Sequence, residues 1–284
     1  MKVLVNGAGG KQCSVLIPKL VEAGCEVYAL DLMPENKDRL YDMGVKEVII
    51  GDICRDEVID RALKGMDTIY LLVPEFLPDP VGMAKRVIDK AIQENVEHFV
   101  FSSVLNVVPE LAQHEEKHQI ESYLMGSMIN YTILKPSCYL DANYPVGPWT
   151  EMNYESGELH TYIGVDQPMN WITLNDITDA ACKVITEGKA HYFASYELCS
   201  EGHYSYRQIA ELAGKEAGVE ISITRDLIPE VPTVHGRDVL GRIVTYHSNH
   251  PFRGNTFTFN NLMGRSAITV PEFVKRKVAE DLKK

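Results

Sequence analysis

Three features are scarce in this sequence, and each absence narrows the class of protein. No apolar run comes near the roughly 18 residues that suggest a membrane-spanning helix. The six cysteines are scattered without a Cys-x-x-Cys pair, which is typical of reduced packing residues rather than a disulfide framework. Basic charge is also low, with 28 Lys and Arg against 40 Asp and Glu, so neither nucleic acid nor an anionic membrane is expected as a partner.

The N-terminus and the composition are typical of an ordinary globular protein. The first residues, MKVLVNGAGG, predict a strand and a glycine turn instead of a signal peptide, so we expect a cytoplasmic location. The 284 residues are 45% hydrophobic and 24% charged, which is enough to bury the core of one sizeable domain, or of one domain and a smaller lobe. A small-molecule substrate is the expected partner.

Short apolar runs alternate with amphipathic stretches over the first half of the chain. This alternation predicts an α/β fold, a doubly wound parallel sheet with helices on both faces and a smaller α+β lobe on the C-terminal side. We expect residues 1–136 to form the sheet domain and residues 137–284 mainly the lobe, with some segments that return to the sheet domain. The six predicted strands lie at KVLV, EVYALD, EVII, TIYLLV, HFVFSS and YTILKP.

The first predicted strand runs directly into the glycine turn NGAGGKQC, which opens a helix. In this setting a dinucleotide pyrophosphate can meet the backbone N–H groups of a helix N-terminus. Gly7 and Gly10 permit the tight turn, and Lys11 and Gln12 follow at the start of the helix. The usual third glycine is missing, and Cys13 stands in one of its two common positions as a small hydrophobic replacement. An ordinary glycine turn is the alternative.

Asp31 ends the second predicted strand about 20 residues after the glycine turn, where dinucleotide-binding folds carry an acidic residue. A carboxylate there can accept hydrogen bonds from both ribose hydroxyls of NAD and repels the 2′-phosphate of NADP. NAD is therefore favoured as the cofactor. NADP is the alternative, because Lys11 offers a positive charge that would offset the repulsion.

The segment QHEEKHQIESYL contains a His-Glu-x-x-His string at His114, Glu115 and His118. By itself this string is the zinc-protease pattern, with two histidine ligands one helical turn apart and a glutamate base. A zinc-protease helix is mostly apolar around its ligands, whereas this segment is charged on nearly every side. We therefore expect no metal, and the simplest interpretation of both histidines is that they face solvent.

Four stretches, in order along almost the whole chain, resemble a known family, the NmrA-like group of atypical short-chain dehydrogenases. GAGGKQCSV is similar to its Gly-Ala-Thr-Gly-x-Gln-Gly turn, and YTILKPSCYLDAN to its Thr-Ile-Leu-Arg-Pro segment with a downstream Asn. WITLNDITDAA resembles its Val-Asp-x-x-Asp-Ile-Ala-x-Ala-Ala segment, and FNNLMGRSAITVPEFVKR its closing Leu-Leu-Gly-Arg segment. The resemblance implies an NAD(P)-binding Rossmann domain with a small C-terminal lobe.

The resemblance also implies further contact residues, for which a helix cap or an ordinary strand end is the alternative. On the cofactor side these are Asp52, Ile53, Leu72, Val73, Pro74, Ser102, Lys117, Pro136 and Tyr139. On the substrate side they are Ser103 and Asn143, of which Asn143 matches the downstream Asn of the family segment.

Short-chain dehydrogenases carry Tyr-x-x-x-Lys on the helix after the fifth strand, and the same spacing here gives Gln113 and Lys117. In those enzymes the tyrosine donates a proton, while the lysine binds the nicotinamide ribose and lowers the tyrosine pKa. Glutamine cannot ionise, so this proton donor is lost while the lysine is kept. The resemblance therefore implies Lys117 as a catalytic residue. His114 is a second candidate, if it faces the cleft beside Lys117 and supplies the missing proton.

Beyond residue 136 the sequence is rich in Gly, Pro and aromatic residues, and its strand signals are short. Trp149 and Trp171 join Tyr139, Asn143 and Tyr144 as candidate walls of a substrate pocket, with core packing as the alternative for the aromatic ones. SYRQIAELAGKEAGVEISI predicts a helix and then a strand. His247 and His250 are expected to be surface residues.

These patterns lead to one main hypothesis and one from a different class. The main hypothesis is an NAD(P)-dependent oxidoreductase that moves a hydride between nicotinamide and a small carbonyl, enone or quinone, with Lys117 stabilising negative charge on the substrate oxygen. The other is a non-catalytic NAD(P) sensor whose bound cofactor alters a surface for a protein partner. The absent tyrosine favours the sensor and the retained lysine opposes it. An epimerase or lyase is disfavoured, because such enzymes usually keep the tyrosine.

Overall fold

Twelve strands and ten α-helices are seen in this computed structural model, which describes residues 1–74, 77–106, 108, 110–141, 148–149, 152–154, 156–227 and 234–283. The strands are β1 (Lys2–Asn6), β2 (Glu26–Asp31), β3 (Glu47–Ile50), β4 (Thr68–Leu72), β5 (His98–Ser102), β6 (Tyr131–Pro136), β7 (Cys138–Tyr139), β8 (Met152–Asn153), β9 (Glu158–Thr161), β10 (Trp171–Ile172), β11 (Ala194–Leu198) and β12 (Ser222–Arg225). The helices are α1 (Lys11–Glu22), α2 (Lys37–Asp42), α3 (Asp56–Leu63), α4 (Pro80–Gln93), α5 (Ala112–Met125), α6 (Leu174–Glu187), α7 (Tyr206–Ala217), α8 (Val234–Asn249), α9 (Phe257–Met263) and α10 (Val270–Asp281).

Seven of the strands form one sheet in the order β11-β6-β5-β4-β1-β2-β3. The pairs from β6 to β3 are all parallel. The edge strand β11 runs in the same direction, because Phe193 N donates to Tyr131 O at its start and Ser137 N donates to Leu198 O at its end. The predicted α/β class and its doubly wound parallel sheet are thereby confirmed. The seventh strand, β11, is one that the sequence patterns did not predict.

Each central strand of this sheet carries a continuous run of buried apolar residues. Leu4 and Val5 in β1, Tyr70 in β4, and Phe99 and Phe101 in β5 are all buried. Parallel strands with helices on both faces need such continuous apolar runs, since neither face meets water. Helices such as α4 pack an apolar face against the sheet. In α4 this face consists of residues three and four positions apart: Met83, Ala84, Val87, Ile88 and Ala91.

The strand order reverses between β1 and β4, and in open α/β sheets ligands bind at the carboxyl ends of the strands at such a point. The buried side chain of Asn6, the last residue of β1, bridges the two strand ends here. Its Nδ2 donates to Leu72 O, and Leu72 N donates to its Oδ1, both at 2.7 Å. Asn6 thus ties together the two strand ends that border the expected crevice.

The chain divides into two compact units. The first unit comprises Met1–Val107, His114–Lys135 and Ile177–Tyr196, and it contains most of the seven-stranded sheet. The second comprises Val108–Gln113, Pro136–Asp176 and Glu197–Lys284, with a two-stranded sheet of β7 and β10 and a three-stranded sheet in the order β12-β9-β8. The predicted helix and strand after residue 204 correspond to α7 and β12 in this unit.

The core of the second unit is built around aromatic side chains. Trp171 is fully buried, donates from Nε1 to Tyr204 O at 2.8 Å and packs edge-on against Tyr206. Trp149 is also buried and packs edge-on against Phe273. Both tryptophans therefore fill the core, and the prediction that they line a pocket is wrong for Trp171, which has no exposed surface.

A buried carboxylate joins two of the four family-like stretches within the second unit. Asp176, from WITLNDITDAA, is fully buried and accepts hydrogen bonds from Thr173 Oγ1 at 2.8 Å and from Ile268 N at 3.1 Å. Arg265, from the Leu-Met-Gly-Arg segment, donates from Nη1 to its other oxygen at 2.7 Å. An ionised carboxylate is tolerated away from water only when it is paired in this way. These motif residues have a structural role.

Two histidines are buried without charge. His98 in β5 and His247 in α8 are nearly inaccessible to solvent. Burial lowers the pKa of each from 6.5 to about 4, and the nearby His191 further lowers the pKa of His98. The prediction that His247 lies at the surface is therefore wrong, whereas His250 is exposed. His247 packs edge-on against Phe252, an environment that disfavours a charged imidazole.

We expect these two histidines to make the fold sensitive to acid. Above pH 6.5 both are neutral in the folded and unfolded chains, but below it the unfolded chain takes up protons that the folded chain excludes until about pH 4. Each should lower the free energy of unfolding by about 1.4 kcal/mol per pH unit in this window. Urea unfolding from pH 6.5 down to 4 should show a shallower decline for His247→Gln, and an unchanged one for the exposed His203→Gln. An equal decline in the free energy of unfolding in the wild-type protein and in both variants would contradict a contribution from His247.

Within the described residues, no helix is both long and apolar enough to cross a membrane.

Candidate functional site

The glycine turn between β1 and α1 has the backbone that a bound phosphate requires. Gly7 has φ of +60°, a left-handed conformation that favours glycine, and no described atom outside Gly7 and its two chain neighbours lies within 4 Å of the place a Cβ would occupy. Gly10 N donates to Gly7 O at 2.9 Å, and a Cβ on Gly10 would lie only 3.0 Å from that oxygen. The turn therefore leaves open space at Gly7 and admits no larger residue at Gly10 without a shift.

Helix α1 presents its amino end at this turn. Gly10 is the N-cap and has no side chain to cap the first N–H groups, and the first turn carries no acidic residue. N–H groups that no side chain caps and the positive end of the helix dipole suit an anionic group. Cys13 is fully buried, its Sγ lies 3.4 Å from Asn6 O, and burial raises its pKa to about 12, with Asp31 as a lesser cause. It fills the position of the missing glycine as an uncharged packing residue.

Asp31 ends β2 next to the glycine turn, as the sequence predicts, and its carboxylate is held by the protein. Oδ2 accepts a hydrogen bond from Gly9 N, and Oδ1 accepts from Met33 N and from Asn36 Nδ2, each at 2.9 Å. Arg39 Nη2 donates to Gly9 O at 2.7 Å. The segment after β2 is thereby fastened onto the turn, and a Cβ on Gly9 would collide with Asn36 and Asp31.

The two residues after Gly10 point in different directions. Lys11 is exposed and begins α1 at the side of the turn. Gln12 is buried, and its Nε2 donates to Tyr70 Oη and to Ser102 Oγ, the latter at 3.2 Å. Gln12 therefore links α1 to the ends of β4 and β5, and its amide nitrogen is directed at protein groups.

The predicted residues at the ends of β3 and β4 lie around the same sheet edge. Asp52 is partly buried and accepts a hydrogen bond from Cys54 N at 2.9 Å; it lies three residues before Arg55, the N-cap of α3. Ile53 is buried. Leu72, Val73 and Pro74 follow the end of β4 and are each partly buried.

Lys117 lies on α5, and its ammonium group reaches the end of β5. Its Nζ lies 3.3 Å from Ser103 O, the backbone carbonyl just after the strand. The hydroxyl of Ser103 donates to Glu121 Oε1, and Glu121 Oε2 accepts from Lys135 Nζ at 2.7 Å. Four polar side chains of the first unit thus gather where β5 and β6 end, two of which, Glu121 and Lys135, the sequence patterns did not single out.

The two histidines of the zinc-like string do not share one environment. His114 is 4% exposed, so the prediction that it faces solvent is wrong, whereas His118 is exposed as predicted. Within the residues that the structure describes, no three His, Cys, Asp or Glu side chains are grouped so that they could hold a metal ion. The role of His114 as a proton donor stays a prediction.

Four predicted residues belong to the second part of the chain. Pro136 is the buried last residue of β6, and Tyr139 is a partly buried residue of β7 that pairs with Ile172 of β10. Asn143 and Tyr144 lie outside the described residues.

The first unit has the Rossmann strand order, a glycine turn before α1 and an acidic residue at the end of β2, which together define a dinucleotide-binding class of fold. The model of the NmrA-like family matches residues 1–239, so the chain belongs to this family, as the sequence motifs predicted.

Three known proteins show the range of its relatives. The NAD(P)H azoreductase of Xenophilus azovorans is 23% identical over 291 residues, or 98% of each chain. The NADPH-dependent quinone oxidoreductase of Escherichia coli, solved with NADPH, superposes with a TM-score of 0.79 at 22% identity, covering 97% of this chain and 99% of that one. The negative transcriptional regulator NmrA, solved with NAD, superposes with a TM-score of 0.79 at 16% identity, covering 99% of this chain and 96% of that one. At these identities the solved structures show a shared fold.

Proposed function

We propose that this protein is an NAD(P)-dependent oxidoreductase that reduces a small carbonyl, enone or quinone. The observation that carries the proposal is the placement of Lys117, whose ammonium group lies at the end of β5 in the same unit as an open glycine turn. Family membership supports it, since an azoreductase and a quinone oxidoreductase are among the related proteins.

The cofactor would lie along the carboxyl ends of the strands. The backbone of Gly7 and Gly10 and the amino end of α1 would hold its pyrophosphate, with Lys11 beside it. Asp31 would hold the adenosine ribose, and Asp52 and Ile53 the adenine. The positions proposed along the nicotinamide half are Leu72, Val73, Pro74, Ser102, Lys117, Pro136 and Tyr139.

Lys117 would have two roles in this site. Its ammonium group would hydrogen-bond the nicotinamide ribose and stabilise the negative charge that develops on the substrate oxygen. When bound, the nicotinamide supplies the hydride. Gln113, one helical turn before Lys117, has no acidic proton, so the proton must come from Lys117, from His114 or from water.

We expect Asp31→Asn to weaken NADH binding about tenfold or more, because an amide cannot accept from Gly9, Met33 and Asn36 and also serve the ribose diol. NADPH binding should weaken less, since the repulsion of its 2′-phosphate is removed at the same time. Calorimetric Kd values for both forms would measure the ratio. Asp38→Asn, which changes an exposed carboxylate on α2, is the matched control. An unchanged ratio in Asp31→Asn would contradict a role of this residue in choosing NAD.

The oxidoreductase proposal is tested by steady-state oxidation of NADH and NADPH with a panel of quinones, enones, ketones and azo compounds. The proposal predicts saturable turnover with at least one acceptor and, where that acceptor is a ketone or enone, transfer of deuterium from C4-deuterated cofactor to a carbon of the product. A panel without turnover, on a preparation that binds the reduced cofactor, would contradict it.

The loss of the tyrosine at Gln113 favours one alternative, a non-catalytic dinucleotide sensor. A regulator, NmrA, shares the fold. A sensor should bind the cofactor without turnover, and a protein partner should bind only the cofactor-loaded form.

A further inference from the structure

Glu121 is the most deeply buried carboxylate or ammonium group of the polar cluster where β5 and β6 end. It is 2% exposed, and both of its carboxylate oxygens are bound, one by Ser103 Oγ and the other by Lys135 Nζ. A carboxylate removed from water is stabilised only by partners of this kind. Its two contacts therefore fix its position, and we call them the Ser103 arm and the Lys135 arm.

The Ser103 arm uses the only hydrogen that the Ser103 hydroxyl can donate. A serine hydroxyl has a single hydrogen, and here that hydrogen is donated to Glu121. It is therefore committed and does not serve a substrate oxygen. Ser103 N also donates to Leu134 O at 2.8 Å, so the residue is anchored through its backbone and its side chain.

The same residue connects Glu121 to Lys117. The backbone carbonyl of Ser103 lies 3.3 Å from Lys117 Nζ, while its hydroxyl binds Glu121. Lys117 and Glu121 are four residues apart on α5, so both project from one face of the helix towards the end of β5. The Lys135 arm leads instead to a side chain that is 22% exposed and has its own access to water.

We propose that Glu121 is a positioning residue that acts through Ser103 to hold the Lys117 ammonium group in place, with Ser103 as an anchor and not a hydrogen-bond donor to the substrate. This inference rests on the proposed function for its effect on turnover. The placement of Lys117 itself is independent of any reaction.

The turnover test separates the two arms with four single variants and one double variant. Glu121→Met removes both arms and Ser103→Ala removes one, and we expect each to lower kcat about 10- to 100-fold with little change in the KM of the acceptor, since small misplacements of a catalytic group have such effects. The double variant should be no worse than either single one. Glu121→Gln should restore most of the activity, because its amide oxygen still accepts from Ser103. Lys135→Met should keep kcat within about twofold even where it lowers stability, because its arm does not reach Lys117.

A second readout does not depend on activity. The rate at which Lys117 is acetylated by an N-hydroxysuccinimide ester, followed by peptide mass spectrometry, reports the freedom of its ammonium group. We expect Glu121→Met and Ser103→Ala to raise this rate severalfold, with the exposed Lys64 as the internal reference.

The outcomes divide cleanly between support and contradiction. Faster acetylation in both variants, rescue by Glu121→Gln and a non-additive double variant would support the proposal. Losses of kcat that multiply, an unchanged acetylation rate, or an equal loss in Lys135→Met would overturn it. If Lys135→Met does not fold, the Glu121→Gln rescue decides. If the wild-type protein turns over no acceptor, the proposed function fails, and acetylation alone decides the positioning role.

Discussion

Lys117→Met should lower kcat by about two to four orders of magnitude, while the Kd of the reduced cofactor rises less than about tenfold. The difference is expected because the ammonium group would interact most strongly with the charge that develops on the substrate oxygen, whereas the cofactor would keep its contacts at the glycine turn and at Asp31. Methionine retains most of the length of the side chain and removes its charge. Steady-state kinetics and calorimetry on the same preparation measure both quantities.

The control for this prediction is Lys64→Met, which removes an exposed lysine from the same unit and should leave both quantities unchanged. A Lys117→Met protein that retains kcat within about twofold would contradict the catalytic role. His114→Gln would then be the next variant to measure, because that buried histidine is the other proton donor proposed on α5.

Arg265→Ala should lower the free energy of unfolding by about 3 kcal/mol, because it removes the cationic partner of the fully buried Asp176. The loss is expected to fall at the lower end of the range for buried pairs, because Arg265 is itself 39% exposed and Asp176 keeps its bonds to Thr173 and Ile268. The arginine also lies over the ring of Phe259, which adds a smaller contribution. Urea unfolding monitored by tryptophan fluorescence would measure the change.

Arg207→Ala is the matched control, since Arg207 pairs with Asp166 and both side chains are exposed. That variant should lose less than about 1 kcal/mol. Similar small losses of unfolding free energy in Arg265→Ala and Arg207→Ala would show that the burial of Asp176 does not require its ion pair with Arg265. The contrast matters for the family motif, because it would identify these motif residues as stabilising the fold of the second unit.

The six strands with continuous apolar runs were predictable because a run of adjacent apolar residues indicates a buried strand by itself, as in β1 and β5. The seventh strand, ASYEL, has mostly half-exposed residues at the sheet edge, so its pattern carries little apolar signal. Its membership in the sheet depends on pairing with β6, about 60 residues earlier in the chain, which no local pattern records.

In the candidate site, too, local sequence patterns predicted only those features that depend on neighbouring residues. The glycine turn and Asp31 were predictable because each needs only its own backbone position next to a strand. His114, His247 and Glu121 were placed wrongly or overlooked, because the local sequence pattern does not record that tertiary packing buries them. The charged segment HEEKHQIES gave no sign that Glu121 is buried, since Ser103 and Lys135, which bind it, are 18 and 14 residues away.

Calorimetric titration of the purified protein with NAD, NADH, NADP and NADPH tests the central claim most directly, because a nicotinamide cofactor at the glycine turn underlies every functional proposal. We expect saturable one-to-one binding, tighter for NADH than for NADPH because of the carboxylate of Asp31. Absence of binding to all four forms would contradict the account and show that the turn, with Cys13 in place of a third glycine, no longer holds a dinucleotide.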